Sequence, residues 1–112
     1  MVVRMELSDA EVDRIFQALA DATRRDILRR TASSDATVSE LAAAYAMSFA
    51  AVQKHVAVLE GAGLVTKEPR GRTRIVRADP ETIARARRLL DAYTELWHSR
   101  IDRLDALLAA DD

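Results

Sequence analysis

Two clusters of side chains in the middle of the chain have chemistry suited to nucleic acid. In the first, the amide of Gln53 can pair with an adenine edge, and the ammonium of Lys54 can reach a guanine edge or a phosphate. In the second, three guanidinium groups surround a glycine, at Arg70, Arg72 and Arg74, and such a cluster suits phosphates or the minor groove. The alternatives are a solvated helix face for the first cluster and protection of an exposed sheet edge for the second.

The charge distribution favours a nucleic-acid partner more than the net charge does. The whole chain carries a formal charge of −1. Residues 46–77 hold six basic and two acidic side chains, whereas residues 91–112 hold two basic and six acidic ones. A basic middle segment and an acidic end therefore balance each other, and the basic segment has the charge expected of a DNA-binding surface.

A helix-turn-helix pattern is predicted to position the first cluster. Thr37 and Glu40 have the spacing of a capping box, which opens a short helix. Ser48 is the predicted N-cap of a second helix over residues 49–62, and the short turn before it makes the two helices cross steeply. Residues 37–62 thus form the predicted motif. The exposed start of its second helix presents the candidate DNA contacts Ser48, Ala50, Ala51, Gln53 and Lys54.

A β-hairpin is predicted to carry the second cluster. Residues 64–77 form its two strands, 64–68 and 72–77, with a turn at 69–71. Because side chains alternate along a strand, Arg72 and Arg74 are expected on one face of the second strand. Arg70, Arg72 and Arg74 are the candidate DNA contacts of this hairpin.

Helices are predicted on both sides of these elements. The first spans residues 8–20 and begins with a capping box, and the second runs from residue 22 to about residue 30. Residues 31–36 are small and polar and are predicted as a loop. The last helix is predicted over residues 80–110, a stretch with proline at its start and no later helix breaker.

The last helix carries an apolar stripe that is wider than one small domain can cover. Its apolar side chains recur at spacings of three and four from Ile83 onwards. We therefore expect a second copy to complete the core in a two-fold dimer; the alternative is a monomer whose helix folds back on itself. The side chains expected at the dimer interface are Phe16, Leu19, Leu90, Tyr93, Trp97, Ile101, Leu104 and Leu108.

Two local strings and the order of the elements resemble the ArsR-type winged-helix repressors. Residues 15–28, IFQALADATRRDIL, resemble the family's opening string, and residues 47–65 resemble its recognition helix and the entry to its wing. The resemblance extends to about residue 108, and residues 96–104 resemble the metal-independent branch of the family. The chain departs from the family pattern at three positions. Ala22 stands where the family commonly has Pro, Ala46 where it often has Gly, and Gln53 where it commonly has Ser. The family's metal-sensing Cys motif is absent.

The resemblance implies both a fold and a function. The implied fold is mainly α with a small β-hairpin, a winged helix-turn-helix with a long C-terminal dimerisation helix, in a single domain over residues 1–112. The implied function is that of a sequence-specific, homodimeric repressor on a palindromic operator in double-stranded DNA, released by an inducer that the sequence does not identify. No cofactor or metal is expected. The resemblance also gives His55 a structural or phosphate-contacting role, although a lone histidine more often packs than binds a ligand.

Three other functions compete with this expectation. A metal-responsive repressor would need ligands such as Asp91, Glu95, His98 and Asp102, which recur along the last helix. One histidine and no cysteine make a solvated face the favoured interpretation of that row. An enzyme is not expected, because no nucleophile is paired with a base. A helical protein-interaction adaptor would explain the apolar stripe but not the basic side chains.

Composition limits the remaining classes of protein. Hydrophobic residues make up 49% of the chain and aromatic residues 4%, and no cysteine is available for disulfides, zinc fingers or thiol catalysis. No apolar run approaches the length of a membrane span, which is about 20 residues. Residues 1–6 lack the apolar core of a secretory signal, so we expect a cytoplasmic protein without membrane contact.

Overall fold

The computed structural model describes residues 7–110. Its elements in chain order are α1 (Asp9–Leu19), α2 (Ala22–Ser33), β1 (Ala36–Thr37), α3 (Val38–Ala44), α4 (Phe49–Gly61), β2 (Val65–Arg70), β3 (Thr73–Ala78) and α5 (Pro80–Ala110). The predicted fold class is confirmed, since the chain is mainly helical with a small antiparallel sheet and a long C-terminal helix. Residues 1–6, on which the expectation of no secretory signal rests, lie outside the described residues.

The core packs the first four helices against the sheet. On α4, Val52, Val56 and Leu59 are fully buried, as their spacing predicts. On α1, Ile15 and Ala18 are the buried side chains, whereas Phe16 is largely exposed. The core cluster consists of Ile15, Ala18, Ile27, Val38, Leu41, Val52, Val56, Leu59, Leu64, Val65 and Val76.

The segment after α2 differs from the prediction of a loop over residues 31–36. α2 continues to Ser33. The buried Thr31 hydroxyl is satisfied inside the helix, because it donates to the Ile27 carbonyl at 2.9 Å. Ala36 and Thr37 then form β1, which pairs with Val76 and Ile75 of β3. The sheet therefore has three strands, in the order β1-β3-β2. A strand of two residues is too short to give a periodic signal in the sequence.

The hairpin turn lies later than the predicted position at 69–71. Arg70 pairs with Thr73, which leaves Gly71 and Arg72 as a two-residue loop. Gly71 has φ of 61°, which fits the requirement for glycine at the first position of a type II′ turn. Pro69 belongs to β2, and an edge strand tolerates proline because one side of its backbone has no partner strand. Arg72 consequently lies in the turn and not on the strand face of Arg74.

Glycine also shapes the junction between α4 and the sheet. Gly63 has φ of 77°, a left-handed conformation that closes the C-terminal end of the helix. The helix itself ends at Gly61, one residue before the predicted end at residue 62. Beyond the sheet, the Asp79 carboxylate accepts from the Glu81 amide at 3.0 Å and caps the start of α5. Among the helices of residues 7–110, none combines the length and the apolar character needed to cross a bilayer.

Candidate nucleic-acid interface

The start of α4 is capped and exposed to solvent. The Ser48 hydroxyl accepts from the Ala51 amide at 3.1 Å, which fixes the first turn of the helix. Because the core row of α4 occupies one face, Gln53 and Lys54 are exposed on another. Ser48 and Ala50 are exposed as well, and Ala51 is half-buried. The predicted contacts of this helix thus lie at its solvent-facing first two turns.

His55 has a different environment from its neighbours on α4. It is half-buried, and its Nδ1 lies 3.4 Å from Nη1 of Arg24 on α2. The same guanidinium donates to the carbonyls of Ala18 and Gln17 at the end of α1, at 2.7 and 2.9 Å. Arg24 therefore joins three helices through one side chain. His55 belongs to this junction, which leaves Nε2 as the ring nitrogen able to face an outside partner.

The next arginine along α2 has a related structural contact. Arg25 donates from Nη1 to the Leu19 carbonyl at 2.7 Å. Together with Arg24, it donates to carbonyls at the C-terminal end of α1, where the regular helical partners are missing. The Gln17 carbonyl also accepts from the Ala20 amide at 3.2 Å. The partners observed for these two arginines are carbonyls of α1 and, for Arg24, the ring of His55. The Asp21 carboxylate accepts from the Arg24 amide at 3.0 Å, and this hydrogen bond lowers the pKa of Asp21.

The hairpin of β2 and β3, which we call the wing, carries exposed arginines at its tip and one paired arginine, Arg77, at its base. Arg70, Arg72 and Arg74 are exposed, and no salt bridge to them occurs within residues 7–110. At the base, Arg77 donates to Asp35 at 2.8 Å and to Glu68 at 2.9 Å. The carboxylate of Glu68, an acidic residue of the hairpin, is therefore paired with Arg77. The tip is left with a net positive charge.

The wing and the two helices of the motif enclose one cleft, which we call the reading cleft. It is lined by Thr37, Val38, Ser39, Phe49, Gln53, Arg72, Thr73 and Arg74. The cleft brings together three predicted contacts, Gln53, Arg72 and Arg74, from segments that are distant in the sequence. Lys54 and Arg70 lie outside this lining. None of the eight lining side chains is acidic, so the cleft suits a polyanion.

Sequence reasoning missed four polar or aromatic side chains of the reading cleft, one of which is Thr73 of β3. Thr37 and Ser39 come from the start of α3, and Phe49 is the first residue of α4. The signal for Thr37 was its capping box, which is intact: its hydroxyl accepts from the Glu40 amide at 3.0 Å. Phe49 precedes Val52 by three residues, a spacing typical of the core face, so its exposure could not be derived from the sequence.

An ion-pair cluster fixes the turn between α3 and α4. The Tyr45 hydroxyl, at the end of α3, donates to the Asp26 carboxylate on α2, and Arg30 and Arg29 donate to the same carboxylate. The Arg30 guanidinium also lies 5.4 Å from the centre of the Tyr45 ring. The Tyr45 hydroxyl, followed by Arg30 and Arg29, holds the pKa of Asp26 well below its usual range. Burial, followed by the Asp26 hydrogen bond, raises the pKa of Tyr45.

The apolar stripe of α5 is largely uncovered. No residue of α5 is fully buried, and Tyr93, Trp97 and Leu108 are 60%, 55% and 69% exposed. Leu90, Ile101 and Leu104 are exposed as well, and so is Phe16 on α1. Leu19 is the exception among the predicted interface residues, because it packs partly against the chain's own core. The Arg100 guanidinium lies 5.5 Å from the centre of the Trp97 ring.

The polar row of α5 does not gather into a cluster. Within residues 7–110, no group of three or more His, Cys, Asp or Glu side chains is arranged to hold a metal ion. Asp91, a member of the row, lies 3.8 Å from Nε of Arg87.

Comparison with known proteins shows that this chain is similar to several transcriptional regulators. A helix-turn-helix domain family matches residues 19–68. The HTH-type transcriptional regulator Rv2034 of Mycobacterium tuberculosis is 43% identical over 81 residues, which cover 72% of this chain and 76% of the relative. A crystal structure of an ArsR family transcriptional regulator superposes with a TM-score of 0.78 at 36% identity, covering 84% of this chain and 97% of the other.

A third comparison concerns assembly. The solution structure of a homodimeric winged helix-turn-helix DNA-binding domain from Mycobacterium bovis is 26% identical, with a TM-score of 0.63. The match covers 85% of this chain and 91% of the other. The shared fold includes the helix-turn-helix and the wing that form the reading cleft.

Proposed function

Because this chain belongs to the ArsR family of winged helix-turn-helix transcriptional regulators, we propose that it acts as a homodimeric repressor on a palindromic operator. It is a DNA-binding transcription regulator. The observation that carries the proposal is the reading cleft, where Gln53 of α4 and Arg72 and Arg74 of the wing face one space without an acidic neighbour. Such a surface combines base-reading and phosphate-binding groups.

Each predicted contact has a role in this proposal. The exposed start of α4 enters the major groove, where the Gln53 amide pairs with a base edge and Lys54 reaches a base or a phosphate. Ser48, Ala50 and Ala51 offer small surfaces that let the helix approach the bases, and Ser48 sits at the positive end of the helix dipole, beside a phosphate. Arg70, Arg72 and Arg74 hold the neighbouring backbone or minor groove. His55 supports the helix from behind, with Nε2 free to reach a phosphate.

The exposed stripe of α5 supports the dimer. A chain of this size rarely leaves so many large apolar side chains on one continuous face unless a partner covers them. The relative from Mycobacterium bovis is described as homodimeric. We propose that two copies pair through Leu90, Tyr93, Trp97, Ile101, Leu104 and Leu108, with Phe16 and Leu19 of α1 at the edge. Two-fold pairing sets the two α4 helices about 34 Å apart, one turn of DNA, which requires a palindromic site.

The proposal includes no metal, cofactor or catalytic step, and it places the protein in the cytoplasm with the DNA that it regulates. A chelator added to the binding assay tests the metal-responsive alternative, in which Asp91, Glu95, His98 and Asp102 would act as ligands. We expect operator affinity to be the same with and without chelator; a large change would restore that alternative.

Selection of bound fragments from genomic DNA tests the function directly. We expect enrichment of a palindrome whose half-sites are centred about ten base pairs apart. Affinity for that fragment should fall steeply as salt rises, since each phosphate contact releases a counterion. Deleting the gene should raise transcription from the selected promoter. A protein that enriches no sequence, or whose binding is independent of salt, would contradict the proposal, and lower transcription on deletion would identify an activator.

A further inference from the structure

Phe49 is an exposed aromatic side chain in a cleft of polar and basic groups. It is 49% exposed, although Val52, Val56 and Leu59, which continue its row along α4, are fully buried. The reason is position: Phe49 is the first residue of α4 and lies beyond the edge of the core, where the helix meets the wing. About half of the Phe49 side chain is therefore covered by the chain itself, and the other half is open to an occupant of the reading cleft.

The neighbours of Phe49 identify the kind of surface that its ring would meet. Gln53 lies one helical turn further along α4, so its amide and the Phe49 ring share a face. Arg72 and Arg74 close the other side of the cleft. An occupant that contacts all of these side chains is anionic at its edge and presents hydrogen-bonding and apolar groups next to one another at its centre.

Duplex DNA meets these requirements in the major groove. The backbone supplies the anionic edge and the bases supply hydrogen-bonding groups, while the C5-methyl of thymine is the apolar group presented on the groove floor. The first residues of a recognition helix approach the base edges most closely. We infer that Phe49 reads a thymine methyl group in each half-site, next to the base pair contacted by Gln53. This inference rests on the proposed function and adds a specificity-determining residue to it.

Removing only the methyl group provides a sharp test. In the operator obtained by genomic selection, each thymine of one half-site is replaced singly by uracil, which pairs identically but lacks the methyl. We expect wild-type affinity to fall about fourfold at one position, the factor that burying one methyl group gives. The variant Phe49→Ala should bind the thymine operator about fourfold more weakly or worse, and should not distinguish thymine from uracil at that position.

Two further variants make the test specific to the ring. Phe49→Leu retains an apolar side chain and should keep part of the discrimination. Val58→Ala removes a different exposed apolar side chain of α4 and should discriminate as the wild type does. Circular dichroism establishes that each variant is folded before its affinity is compared.

The outcomes separate this inference from the function on which it rests. If the wild type binds its operator but no uracil replacement weakens binding, or if Phe49→Ala keeps the full discrimination, the thymine contact is wrong and the repressor function stands. If the wild type enriches no sequence at all, the proposed function fails first, together with the thymine contact that depends on it.

Discussion

The guanidinium of Arg24 and the ring of His55 form a contact between α2 and α4, with Nη1 of Arg24 3.4 Å from Nδ1 of His55. The guanidinium has only hydrogen-bond donors, so Nδ1 is the acceptor in this contact. Because Arg24 also donates to two carbonyls of α1, the histidine is tied to a junction that sets the position of the recognition helix. His55 therefore helps to position α4, in addition to the phosphate contact proposed for it.

This junction predicts that His55 and Gln53 respond differently to substitution. His55→Ala removes a partner of Arg24, and we expect unfolding free energy to fall by about 1 kcal/mol along with DNA affinity. Gln53→Ala removes an exposed amide and should leave stability unchanged while altering base preference. Thermal unfolding and binding to operator variants measure both effects. Unchanged stability in His55→Ala would show that the contact with Arg24 contributes nothing.

Local contacts are the part of this structure that the sequence predicts best. The capping boxes of Ser8 with Glu11 and of Thr37 with Glu40 both form, and Ser48 caps α4. In each case the partners are three residues apart, so the spacing itself encodes the contact. The exposed start of α4 follows from the same signals together with the buried row that begins at Val52.

Contacts between distant segments account for what the sequence did not predict. Arg24 meets His55 across 31 residues, and Arg77 meets Asp35 across 42. No local pattern encodes such pairs, because they depend on how α2, α4 and the sheet are packed. The hairpin turn shows a related limit. Proline and glycine are both common in turns, and only the strand register places Pro69 in β2 and Gly71 in the loop. The exposure of Phe49 depends likewise on where the core ends.

The wing arginines are predicted to bind without regard to sequence. Arg72→Ala and Arg74→Ala should each weaken binding to all DNA fragments by a similar factor, since phosphates carry no sequence information. The slope of log affinity against log salt should become shallower by about 0.9 for each phosphate that the variant no longer neutralises. Arg88→Ala removes the same charge from an exposed position on α5 and serves as the control. Equal effects of all three substitutions would mean that only net charge matters.

Asp26 is predicted to make stability dependent on acid pH. Its folded pKa lies below the ordinary value of 3.8 because the Tyr45 hydroxyl, Arg30 and Arg29 donate to it. A carboxyl with a lowered folded pKa stabilises the protein above its unfolded pKa, and this stabilisation is lost as pH falls through the folded value. Asp26→Asn should therefore be less stable than the wild type at neutral pH, and the difference should shrink below about pH 4.

Denaturant titrations at several pH values measure that difference. Asp13→Asn, an exposed position on α1, is the matched control and should follow the wild type at every pH. A difference between Asp26→Asn and the wild type that stays constant into the acid range would contradict the role given to the cluster. Weaker operator binding by Tyr45→Phe would show that the same cluster holds the turn before α4.

Two glycines separated by one residue are predicted to respond with opposite signs. Gly63 has φ of 77°, so Gly63→Ala forces a side chain into the left-handed region and should cost about 1 to 2 kcal/mol. Its added Cβ would also lie 3.4 Å from Oγ1 of Thr82. Gly61 is the last residue of α4, and a Cβ added there would meet no atom within 4 Å. Gly61→Ala should therefore stabilise the folded protein by about 0.5 kcal/mol through helix propensity. Chemical unfolding of both variants checks the contrast; destabilisation by both would contradict it.

The single tryptophan of the chain is predicted to report dimer formation. Trp97 is 55% exposed in the stripe of α5, so a partner helix that covers it should shift its fluorescence emission to shorter wavelength. Ile101→Glu places a carboxylate one turn further along the same face, where burial against a partner would leave the charge unpaired. We expect this variant to sediment as a monomer, to emit at longer wavelength and to lose most operator affinity, because a monomer contacts only one half-site.

Ser99→Glu, two residues from Trp97 and thus on the opposite side of the helix, should remain dimeric. A monomeric wild type at micromolar concentration, or an Ile101→Glu variant that sediments as a dimer, would place the interface elsewhere than on this stripe.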